Sequence, residues 1–214
     1  MKKMFLLACI AVCLFACSTD NESTSEPEQS VYALQVGNMW VYEHHRRLHE
    51  FSEEFENINV IDSVQIVGTE EINGHVFYTF RTRTSGNESN QAFCSPNGEH
   101  FKQMRDSLGY LINEHGKIQF SPVGDTDEYV LNMNVDNRLV HSLSEESEVV
   151  TTPAGDFMAY SMNLYLRNNH TNERSVGTSK YYRVEGIGEV FTTSSFANRS
   201  LHTVEKRLVS YTIQ

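Results

Sequence analysis

The chain is short of cysteine, proline, basic charge and long apolar runs, and each shortage excludes something. It holds four cysteines, four prolines and one tryptophan in 214 residues. Cys9 and Cys13 sit in an apolar N-terminal run and Cys17 closes it, so Cys94 is the one cysteine left for the body of the chain. No intramolecular disulfide can be built there, and stability has to come from a packed core. Seventeen basic residues face 28 acidic ones, a net charge of −11. A balance that acidic argues against nucleic acid and against adsorption to anionic head groups. The longest charge-free apolar run, residues 4–16, is thirteen residues long. A membrane-spanning helix needs about 20.

That run, behind Lys2 and Lys3, has the size of an export-signal core and is set apart from the fold. It ends in Leu14-Phe15-Ala16-Cys17, which resembles the lipobox of bacterial lipoproteins. The resemblance implies a signal peptide over 1–16, diacylglycerol on the Cys17 sulfur and acylation of the new amino group, hence a stable membrane anchor. Residues 18–30 carry Asp20, Glu22, Glu26 and Glu28, no base, and no apolar side chain but Pro27. Such a segment cannot bury enough surface to offset its ordering entropy. Residues 17–30 are therefore expected to form a lipidated cysteine and disordered acidic tether, and 31–214 a β domain. The acidic run after Cys17 also resembles the surface-export signals of Bacteroidetes lipoproteins, which implies a lipid-anchored place at the outer membrane, on its periplasmic or cell-surface face.

From Val31 onward the apolar residues alternate with period 2, and turn signals recur every eight to fifteen residues. Asn73-Gly74 predicts a two-residue hairpin between strands over 60–72 and 75–83, because both turn positions need positive φ. Pro153-Ala154-Gly155-Asp156 predicts another reversal, before Met158, Tyr160, Met162, Leu164 and Leu166, the longest unbroken apolar face. Gly186-Ile187-Gly188 marks a bulge or bend. Further short strands are read over 91–94, 100–105, 110–113, 117–120, 149–152, 180–184, 189–194 and 201–213. Residues 43–56 read as a strand continuation followed by a loop, and Trp40 as a plug at one end of the core. The fold class expected is mainly β, a single domain of about ten to twelve antiparallel strands forming a curved sheet, open barrel or sandwich. No βαβ alternation appears.

Three motifs, Val36-Gly37-Asn38-x-Trp40-x-Tyr42, Thr152-Pro153-Ala154-Gly155-x-Phe157 and Tyr181-Tyr182-x-x-x-Gly186-Ile187-Gly188-x-Val190, resemble in that order a group of uncharacterised bacterial lipoproteins. The resemblance implies a shared β architecture and brings no catalytic residue with it. Asp62-Ser63-Val64 and Asp106-Ser107-Leu108 resemble the O-glycosylation acceptors of Bacteroidetes.

The chemistry-bearing residues are few. His44, His45 and His49 beside Glu43 and Glu50 are the candidates for a metal, but on a strand His45 and His49 stand about 13 Å apart, and a solvated polar face is the expectation. Asp125-x-Asp127-Glu128 begins like a calcium loop, yet Val130 stands where the loop needs glycine. Cys94 has no recognisable base near it in sequence and reads as core filling. No nucleophile, phosphate-loop or zinc motif is present, and no cofactor is expected. The expectation is a non-enzymatic cell-envelope lipoprotein that binds a small apolar ligand or lipid on the concave face of its sheet. The alternative is a structural or interaction subunit that docks an envelope protein, and an envelope hydrolase comes third.

Overall fold

A computed structural model describes residues 32–214. The export segment 1–16, the lipidation site Cys17 and the tether 17–30 lie outside the described residues. Within them the chain is all β. The first six strands are β1 (Met39–Arg47), β2 (Phe55–Ile72), β3 (His75–Ser85), β4 (Gly98–Ser107), β5 (Tyr110–Asn113) and β6 (Ile118–Phe120). The other seven are β7 (Tyr129–Met133), β8 (Asn137–Leu143), β9 (Glu148–Thr152), β10 (Gly155–Asn168), β11 (Ser179–Val184), β12 (Gly188–Ser194) and β13 (Val204–Thr212).

All pairings are antiparallel, in the order β6-β5-β4-β3-β2-β1-β13-β12-β11-β10-β8-β7, with β9 paired only to β10. Twist curls this one path into a nearly closed barrel. Its two ends come together without a ladder between them: the His141 ring bonds the Ile118 carbonyl at 3.3 Å, and Tyr110 and Tyr129 both bond Asp125. The count exceeds the expected ten to twelve because β7 and β8, over a polar stretch with weak alternation, were not anticipated.

The hairpin signals act as their chemistry dictates. Asn73 (φ 52°) and Gly74 (φ 76°) turn β2 into β3. Pro153-Ala154 joins β9 to β10, and residues 185–187 reverse β11 into β12. Residues 43–56 hold the end of β1, a turn, and the start of β2. Residues 91–94 correct the reading: they are not a strand but part of a folded loop, with Phe93 at φ 65°. The buried Asn87 side chain replaces the ladder there. It donates to the Ser95 carbonyl (2.8 Å) and accepts from the Gln91 amide (2.7 Å).

The core is continuous along the sheet, with Ile66, Leu111, Met162, Val190 and Leu208 closed to solvent. Each such side chain contributes about 1.5–3 kcal/mol of burial. Two of the three resembling motifs meet directly, and the other is tied to β13 beside them. Trp40 Nε1 donates to the Ile187 carbonyl (2.7 Å), the Tyr42 hydroxyl donates to the Glu189 carbonyl (2.8 Å), and the Ala154 amide donates to the Leu208 carbonyl (3.1 Å). Asn38, 0% exposed, bonds the Ala33 carbonyl and the Gln214 amide, and so ties the two ends of the described chain together.

Candidate functional site

Antiparallel register fixes which side chains share the concave face. Trp40 stands opposite Val64 and Tyr42 opposite Asp62. Phe80 stands opposite both Ile66 and Lys102, and Tyr78 opposite Met104. Residues directly opposite each other point to the same face of a sheet. Trp40, Tyr42, Asp62, Phe80 and Lys102 accordingly line one cavity, completed from the other side by Arg183, Glu189 and Lys206. Its volume is about 210 Å³. Residues 32–38 lie across one end of it, where the Tyr32 hydroxyl reaches the Gly109 carbonyl. The loop 86–97 folds toward the other end, bringing Ser95 to the wall and Cys94 to β1.

Charge is concentrated here. Glu189 is bound by Lys206, accepts a hydrogen bond from Thr192 (3.1 Å) and pairs with Arg183 (3.7 Å). Burial pushes its carboxyl up, but Lys206, Arg183 and Lys102 outweigh that and hold it at about 2. Lys206 also lies 4.6 Å over the Tyr42 ring. Lys102 differs from these neighbours. It is exposed to the cavity, and among the described residues no hydrogen bond or ion pair reaches its ammonium. Three cations thus face two carboxylates across the cavity, and the unmatched one is Lys102.

A second chamber of about 230 Å³ adjoins the first and shares Tyr32, Arg183 and Gly188 with it. Phe120, Val123, Met158, Tyr160 and Val184 make it mainly apolar. Part of the apolar face read on β10 lines this space. Met158 is 61% exposed and Tyr160 half-buried, whereas Met162, farther along, is closed core.

The histidine candidates do not converge. His44 points inward and bonds Asp62 (2.9 Å). His45, on the opposite face of β1, bonds Glu43 (2.7 Å), and His49 lies exposed in the turn after β1. No group of three or more metal-binding side chains converges among the described residues. Asp125 and Glu128 already accept from Tyr110, Tyr129, Tyr165 and Arg167. Asp62 of the first acceptor-like tripeptide is buried, while Leu108 of the second is 96% exposed on the turn between β4 and β5.

A base does stand beside Cys94 in space, which its sequence neighbours do not reveal. Its sulfur is 3.4 Å from His44 Nδ1, His44 Nε2 bonds Asp62, and Thr84 donates to the other Asp62 oxygen (2.6 Å). The line has the order nucleophile, base, orienting carboxylate. Its electrostatics run the other way. Burial, with Asp62 adding to it, pushes the thiol up to about 11, so it stays protonated. Asp62 is raised by burial but lowered overall by the bonds from His44 and Thr84. The arrangement pins the 86–97 loop to β1. These partners lie 18 to 50 residues apart, and no local pattern joins them.

No protein-family model matches the chain, and no curated protein matches it. Among solved structures it is similar to a "putative lipoprotein" from Parabacteroides distasonis, with TM-score 0.48, 14% identity, and coverage of 86% of this chain and 98% of that one. It is also similar to a "putative exported protein with YmcC-like fold" from Bacteroides fragilis, with TM-score 0.49, 11% identity, and coverage of 86% and 99%. At these values neither structure transfers a site residue or a function to this chain.

Proposed function

We propose that the chain is a non-enzymatic ligand-binding domain of the cell envelope, held at the outer membrane by a lipid on Cys17. The observation that carries the binding role is the unfilled concave face. Seven neighbouring strands, β4 to β1 and β13 to β11, wall a cavity of about 210 Å³ around the Lys102 ammonium, which no side chain bonds among the described residues. A domain that only docked other proteins would gain by filling that space with side chains, at about 1 kcal/mol or more for each methyl-sized void. The anchor is supported by the residues before Cys17. The absence of catalysis is supported by the protonated Cys94 thiol, held in a bond to His44.

Native mass spectrometry of the mature chain after exposure to envelope extract tests the reading. A stoichiometric small-molecule mass that leaves on denaturation is expected. A bare protein, together with a co-purifying envelope protein in fixed ratio, would favour the docking role instead.

A further inference from the structure

A typical small-molecule site has a volume of about 300 Å³ or more. Neither chamber reaches that alone, at about 210 and 230 Å³, but the two share a wall and together exceed it. Their linings are chemically unlike. One presents Lys102, Arg183 and Lys206 against Glu189 and Asp62, and the other presents Met158, Tyr160, Phe120 and Val184. Arg183 belongs to both, pairing with Glu189 on one side and standing 5.8 Å from the Phe120 ring centre on the other.

We propose that the two chambers hold one amphipathic anion, its single negative head group at Lys102 beside Arg183 and its short apolar body against Met158, Tyr160 and Phe120. The inference rests on the ligand-binding reading and names the ligand class. Lys102 is exposed to the cavity and no side chain among the described residues bonds its ammonium, and an anionic head group would supply the charge-assisted hydrogen-bond acceptor it lacks. The other four charges of the cavity are already served. Glu189 is matched by Lys206 and Arg183, and Asp62 is held by His44 and Thr84. A cationic ligand would meet an excess of positive charge, and a neutral one would leave Lys102 unpaired. The apolar chamber offers no hydrogen bond at Val123, Met158 and Val184, and its one carboxylate, Glu185, would repel a second negative charge on the ligand.

Isothermal titration calorimetry on the chain beginning at Ser18, which lacks only the export segment and the anchor cysteine, tests this. The probes are decanoate, decyltrimethylammonium and acetate. Decanoate is expected to bind one to one with a dissociation constant on the order of micromolar. The cationic amphiphile and acetate should each bind about tenfold or more weaker, the first lacking the head-group match and the second the tail. Lys102→Met should weaken decanoate about tenfold without lowering the melting temperature, and Lys102→Arg should restore most of the loss. Equal binding of the cationic and anionic amphiphiles, or no effect of Lys102→Met, overturns the anion assignment while leaving a ligand-binding cavity. Failure of all three probes, together with a bare protein in native mass spectrometry, overturns the cavity's binding role itself.

Discussion

The two chambers inside this barrel face each other across Tyr32, Arg183 and Gly188, and they are built on opposite principles. In the charged chamber each group except Lys102 is fixed by partners. Glu189 is held by Lys206 and Arg183, and Asp62 by His44 and Thr84. In the apolar chamber most of the lining makes no directional bond, and Met158 is left open. Directional bonds set where a head group can sit, whereas a methionine-bearing surface adapts to the shape of what fills it. A site made this way should be selective for charge and tolerant of tail length.

The sharpest way to break the distinction is to remove the largest side chain of the charged chamber. Trp40 stacks on Phe80, bonds the Ile187 carbonyl and packs against Gly188, so that a Cβ at residue 188 would stand 3.5 Å from the indole. Trp40→Ala should lower stability by about 3–5 kcal/mol in urea titration and enlarge the charged chamber, so that it loses its selectivity for a small head group. Glu189→Gln should cost about 3 kcal/mol, because it leaves Lys206, Arg183 and Lys102 facing one another with only Asp62 opposed. The same variant should retain or raise affinity for decanoate. That combination separates the cost of the charge cluster from its use.

Acid should act on the two sides of the barrel at different pH. Burial lowers the pKa of His141 at the seam, where its ring bonds the Ile118 carbonyl. A histidine depressed in the folded state contributes stability that is present above about 6.5 and lost as pH falls below that value. The Glu189 carboxyl, held at about 2, contributes stability that is present above its ordinary value of 4.5 and lost between there and about 2. Amide exchange followed against pH should show the β6–β8 seam loosening first and the β12–β13 wall later. The smallest effect expected is at the apolar end. Met158→Lys should change stability by no more than about 0.5 kcal/mol and shift the preference toward shorter carboxylates, each lost methylene being worth about 0.8 kcal/mol.

Legibility from sequence divides along the same line. Strand patterning and the Asn73-Gly74 hairpin were readable because period and turn chemistry are local. The apolar face on β10 was also readable, and part of it does border the cavity. What sequence concealed was every partnership across the barrel. Lys102 and Glu189 are 87 positions apart, Lys102 lies in no motif, and Glu189 stands at a variable position of one. Cys94 meets His44 only because Asn87 folds the loop between β3 and β4 back toward β1. The expected ligand was simply apolar, since nothing local placed Lys102 and Arg183 on the concave face. Residues 91–94 looked like a strand for a related reason: their apolar residues pack on neighbouring loops, with Phe93 against Phe196 at 4.7 Å, rather than on a ladder.

The most direct test of the account is a crystal structure of the chain grown with decanoate. The account predicts the carboxylate within hydrogen-bond distance of Lys102 Nζ, and the alkyl chain running past Tyr32 toward Met158. Decanoate bound elsewhere, or a cavity closed by the Lys102 side chain folding onto Glu189, would contradict it.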